Sequence, residues 1–99
     1  MSNLFTIDGK PVCYYQSPAP LDHSDGKKHF YPSLVTFDQP GHSLTDWDYG
    51  TDYELAKKVV EKLNRDRGTS PKAASLIVAS SMFYPSRITY AEIQSANES

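Results

Sequence analysis

The chain has a single cysteine, Cys13, so no disulfide can form within its 99 residues. Small secreted domains ordinarily need several bridges, and a lone thiol points to a reducing, cytoplasmic compartment. No stretch approaches the roughly 18 consecutive apolar residues of a membrane helix. Met1-Ser2-Asn3-Leu4-Phe5 has neither the basic start nor the apolar run of a signal peptide. Charge of one sign is also missing. The formal net charge is −2, which leaves no strong field to hold nucleic acid. With five glycines the chain has no GxGxxG fingerprint, no Walker loop and no Gly-x-Ser-x-Gly elbow. The familiar phosphate-cradling and hydrolase motifs are therefore excluded. Neither an internal repeat nor a low-complexity tract is present.

What the chain does have is aromatic residues, 12% of the total and including seven tyrosines. Disordered chains are poor in these. Tyrosine buries area while keeping a polar tip, which suits both a small core and a contact surface. The length is that of one domain, 1–99, with room for one modest core.

Leu4-Phe5-Thr6-Ile7, Asp8-Gly9 and Val12-Cys13-Tyr14-Tyr15 read as strand, tight turn and strand, because Asp-Gly accepts positive φ cheaply. Pro11 belongs at a strand start or edge. Residues 16–30 read as a long loop, rich in Pro, Asp, Gly and Lys. Ser33-Leu34-Val35-Thr36-Phe37 reads as a third strand, ended by a turn at Asp38-Gln39-Pro40-Gly41. Thr51-Asp52-Tyr53-Glu54 has capping-box spacing and opens a helix over about 52–67. Ala56, Val59, Val60 and Leu63 form its apolar face, and Glu54–Lys58, Lys57–Glu61 and Glu61–Arg65 are its i,i+4 charge pairs. Gly68 ends it. Ser70-Pro71 caps a second helix to about Met82, with Ala74, Ile77, Val78 and Met82 facing inward. Thr89-Tyr90-Ala91-Glu92 repeats the capping-box spacing, so residues 85–99 hold a short helix or a frayed tail.

The layout predicts an α+β fold, a small antiparallel sheet of about three strands followed by two or three helices packed on one face. Hairpin, loop and third strand occupy 1–50 and the helix pair 51–84. So small a sheet leaves edges exposed, and strand pairing would let two copies form a homodimer.

The unusual stretch is Asp46 to Glu54, with four carboxylates and three aromatics, the single tryptophan among them, in nine residues. Tryptophan and tyrosine are the commonest interface anchors, and a ring of acids steers a basic partner. Asp46, Trp47, Asp48, Tyr49 and Tyr53 are therefore the candidate protein contact surface. Capping by Asp52 and Glu54, and a core position for Trp47, would explain part of the same pattern. His23, His29 and His42, with Asp22, Asp25 and Cys13, are ligand types, but their spacing matches no standard zinc pattern, so neither a metal nor a cofactor is expected. No nucleophile–base–orienting set stands out, and the expectation is a protein without catalysis.

Two other functions are open. The 52–82 helix pair could serve a DNA-associated regulator, although the second helix has Lys72 as its one charge and no Arg, Asn or Gln to read bases. The 16–30 loop, with His23, His29 and its aspartates, could serve a small-ligand binder or enzyme.

The segments His29-Phe30-Tyr31-Pro32, Pro40-Gly41, Thr45 through Tyr53, Asn64, Gly68-Thr69-Ser70 and Ile77 through Met82 resemble small uncharacterised proteins of bacterial phages and mobile elements. The resemblance covers the central part of the chain and brings no catalytic residues with it. It implies a binding protein that modulates or inhibits a host protein, such as a component of CRISPR immunity or another defence system.

Overall fold

The computed structural model describes residues 4–98 and the side chains of all of them except His42. Its first element is a hairpin of β1 (Thr6–Ile7) and β2 (Lys10–Tyr15), paired Thr6↔Pro11 and Ile7↔Lys10. Asp8 and Gly9 both take positive φ, 54° and 80°, the geometry a two-residue hairpin turn requires. Two short strands follow, β3 (Leu21–Asp22) and β4 (Lys28–His29), which pair with each other. Then come β5 (Ser33–Thr36) and β6 (His42–Ser43). The main sheet is antiparallel in the order β1-β2-β5-β6. Its outer strands have two residues each, so a sheet-edge pairing between copies would have little strand to use. The helices are α1 (Tyr53–Asp66), α2 (Pro71–Met82) and α3 (Tyr90–Asn97).

The fold is α+β, as the order of the elements implies. The 16–30 region differs from the sequence reading, and of the two readings of the tail the helix is the one formed. The 16–30 region contains the β3–β4 hairpin, whose two-residue strands are too short to show a period of two. Residues 90–97 form a helix, capped by Thr89, whose side chain accepts from the amide of Glu92.

Cys13 and Val35, opposite each other on β2 and β5, meet Ala73 and Ile77 of α2 and Ile93 of α3 to form the central core. The helix α2 therefore lies at the middle of the molecule, between the sheet and α3. Its buried residues are Ala73, Ile77 and Ser80, a stripe rotated from the expected face, and Met82 is exposed. Ser80, on this stripe, faces the end of β5, where its Oγ accepts from the Asp38 amide at 3.0 Å. The exposed face of α1 carries its charges as expected, but the ion pair that closes there is Lys62–Asp66 at 2.7 Å. Its buried stripe is Ala56, Val60 and Asn64, with Val59 and Leu63 half-buried.

Asn64 joins α1 to the sheet. Its Nδ2 donates to the Tyr14 carbonyl at 2.9 Å and its Oδ1 accepts from the Tyr14 amide at 2.8 Å. Val12, two residues earlier on the same edge, is bonded by its amide to the Phe5 carbonyl. The carboxamide thus takes over the edge of β2 where β1 ends. No helix among the described residues is long and apolar enough to cross a membrane.

Candidate functional site

The segment 44–50 is drawn against the end of β4 by main-chain bonds. Leu44 N–H donates to Pro32 O at 2.8 Å, Tyr49 N–H to Phe30 O at 2.9 Å, and Phe30 N–H to Gly50 O at 2.8 Å. A further bond from Trp47 N–H to Leu44 O closes a turn. These contacts set Asp48 beside the β3–β4 hairpin. That hairpin turns at Gly26, whose amide donates to His23 O and whose φ is +83°. A Cβ there would meet nothing within 4 Å, so the backbone angle, and not crowding, favours glycine.

The two elements meet in a cluster of two imidazoles and two carboxylates. His23 and His29 stack with ring centroids 4.0 Å apart and planes 18° from parallel. His29 donates from Nδ1 to Asp48 at 2.8–2.9 Å and from Nε2 to Asp25 at 2.7 Å. Ionised carboxylates only accept, so with both bonds formed His29 is an imidazolium. The Asp48 hydrogen bond raises its pKa first; desolvation opposes this, and Asp25 adds to the rise. Asp48 lies below the ordinary carboxylate range, chiefly through the Gly50 amide and then through His29. Asp25 is lowered chiefly by the Lys27 amide. Tyr31, which shares a 2.9 Å hydrogen bond with His23 Nδ1, is raised by desolvation and then by the two aspartate charges.

His23, His29 and Asp48 each place one ligand atom within 4.8 Å of the others. The chain positions 23, 29 and 48 show no metal-binding pattern because the hairpin and the loop bring them together through main-chain pairing. The available signal was the position of His23 and His29 on either side of Asp25-Gly26, a turn dipeptide. Cys13 is elsewhere, in the core beside α2, where burial pushes its thiol up to about 12 and its Sγ points to Ala74 O. Asp22 lies exposed on β3.

The five candidate contact residues are separated by role. Asp46 is exposed, and among the described residues it has no ionic or hydrogen-bonding partner. Trp47 stacks on Tyr14 at 5.5 Å, Tyr14 stacks on Phe5 at 6.3 Å, and the Arg67 guanidinium lies over both of the latter rings. Trp47 nonetheless remains 36% exposed. Asp48 is committed to His29. Tyr49 is half-buried, and burial raises its hydroxyl pKa. Tyr53, in the first turn of α1, packs against Phe30 at 5.4 Å.

Tyr53 also borders a second feature, a cavity of about 430 Å³ between α1 and α2. Its walls include Val60, Ala74 and Val78, with Met82 and Phe83 at 65% and 72% exposure. Two lining residues, Gln16 and Thr69, each have a buried oxygen, Oε1 and Oγ1, with no hydrogen-bond partner. This cavity lies along the helices and takes Gln16 from the 16–30 segment, but not His23, His29 or the aspartates expected to serve a ligand. The chain has no significant match among protein-family models, curated proteins or solved structures.

Proposed function

We propose that this chain is a small binding protein without catalysis, which docks on another protein through the loop bearing Asp46 and Trp47. The supporting observation is Trp47. It ends a three-ring stack, its loop is fixed by main-chain bonds, and more than a third of it faces solvent. An anchor already held in place loses little freedom on binding, which is where much of the cost of association lies. Asp46 supplies an uncommitted charge beside it for a basic partner. Within this proposal the likeness to phage and mobile-element proteins makes the partner a host protein, inhibited by occlusion.

DNA binding is less well supported. The helix that would read bases, α2, packs between the sheet and α3, and its exposed residues, Pro71, Lys72, Ser75 and Met82, offer no Arg, Asn or Gln. A small-ligand reading has one observation in its favour, the cavity between α1 and α2.

The test is an affinity capture from bacterial lysate with the tagged chain, beside an Asp46→Asn/Trp47→Ala variant. Asp48 is left intact because its loss would also free the hairpin. A specific protein partner retained by the wild type and lost by the folded variant supports the proposal. Equal capture by both, or none by either, removes it.

A further inference from the structure

The His23–His29–Asp48 cluster has the parts of a metal site, arranged in two layers. We infer that it binds one divalent transition-metal ion of the zinc class, with His23, His29 and Asp48 as ligands and Asp25 as the group that orients His29.

Four observations bear on this. First, the three side chains already converge. One ligand atom from each lies within 4.8 Å of the other two, His29 Nδ1 is 2.8 Å from Asp48 Oδ2, and His23 Nδ1 is 3.7 Å from the same oxygen. Second, the donor set is two imidazole nitrogens and one carboxylate oxygen. Zinc-class ions favour such a set, whereas calcium and magnesium take oxygen ligands throughout. Third, His29 Nε2 donates to Asp25 at 2.7 Å. Metal-bound histidines ordinarily give their second ring N–H to a carboxylate or carbonyl, which fixes the tautomer and the ring orientation. Asp25 is itself fixed, because its Oδ1 accepts from the Lys27 amide at 2.8 Å. Fourth, Asp48 is held independently of the histidines, since its Oδ1 also accepts from the Gly50 amide at 2.8 Å.

The exchange balances simply. The ion takes the place of the Nδ1 proton between His29 and Asp48, His23 Nδ1 gives up the Tyr31 hydroxyl for the ion and that hydroxyl turns to solvent, one proton leaves to solvent, and the Nε2–H bond to Asp25 persists. Three protein ligands leave a fourth position open, and the cluster lies at the surface, so water or a donor group from another molecule can complete it. The ion would also join the hairpin to the 44–50 loop by coordination where a charged hydrogen bond joins them now.

The experiment is calorimetric titration of the full chain, stripped with chelator, with Zn²⁺ alone, followed by the visible spectrum of the Co²⁺-loaded chain. The wild type is expected to bind one ion per chain with a Kd of about 10 μM or tighter. Its Co²⁺ form is expected to show the intense visible bands of a four-coordinate site. His23→Ala and Asp48→Asn should each weaken binding at least about tenfold, and Asp25→Asn, which removes only the orienting carboxylate, by about 10–100-fold. Asp22→Asn, an exposed acid outside the cluster, should leave binding unchanged. Circular dichroism separates lost ligation from lost fold; if Asp48→Asn unfolds, the half-exposed His23 decides the matter. Sub-stoichiometric or millimolar binding by the wild type, or binding that His23→Ala leaves intact, overturns the inference.

Discussion

Asn64, Asp48 and Asn97 each tie one element to another, and the residue that caps α1 lies one position from where spacing pointed. Thr51 and Glu54 have the spacing of a capping box, yet Asp52 caps α1. Its φ and ψ are −98° and 106°, and its side chain accepts from the Leu55 amide at 3.3 Å. Aspartate is at least as good a cap as threonine, and its charge also suits the positive end of the helix. Asp52→Ala is therefore expected to lower stability by about 1 kcal/mol, with Thr51→Ala close to neutral. Parallel urea melts of the two variants check this, and the opposite ranking would return the cap to Thr51. Asp48 was legible as a surface acid but not as the partner of His29, because sequence spacing says nothing of which loop lies beside which strand.

At the scale of elements, the three helix starts were legible because caps are local. Ser70 before Pro71 and Thr89 before Tyr90 close on the amides of Ala73 and Glu92 as their spacing implies. Which face each helix buries was less so. Hydropathy put Met82 inside, but Ser80 is turned inward instead, toward the end of β5. The Ser80 hydroxyl donates to Ile77 O at 2.7 Å and accepts from the Asp38 amide at 3.0 Å, so burial leaves it satisfied. Asn64 likewise occupies a position that periodicity assigns to an apolar residue. Replacing it with leucine keeps the bulk but leaves the Tyr14 N–H and C=O without partners. Asn64→Leu is predicted to cost about 2–4 kcal/mol, since each orphaned buried group forfeits its desolvation. Chemical denaturation measures it, and a variant as stable as the wild type would show that the carboxamide bridge contributes nothing.

For the whole molecule, composition and element order were enough for the α+β class, while the two sites arise only from assembly. The cluster needs the β3–β4 hairpin against the 44–50 loop. The cavity needs α1 and α2 to diverge over β2. If the cavity takes ligands, its walls of Val60, Ala74 and Val78 select ones with an apolar body. Small apolar alcohols and amines titrated into the ¹⁵N-labelled chain are then expected to shift the amides of Gln16, Thr69 and Val78 together. Shifts confined to the loops would leave the cavity without a role. Asn97 fastens the junction beneath it, its Nδ2 donating to Gly68 O and its Oδ1 accepting from the Ser70 amide.

The bridge from Asn64 to Tyr14 has a consequence for behaviour in crowded solution. An open stretch of β2 would be a template on which another chain could lay a strand and begin to aggregate. A carboxamide there occupies both main-chain groups, yet it cannot hand the ladder on, because among the described residues no strand extends beyond it. One side chain thus terminates the sheet in the way a chain stopper ends a polymer.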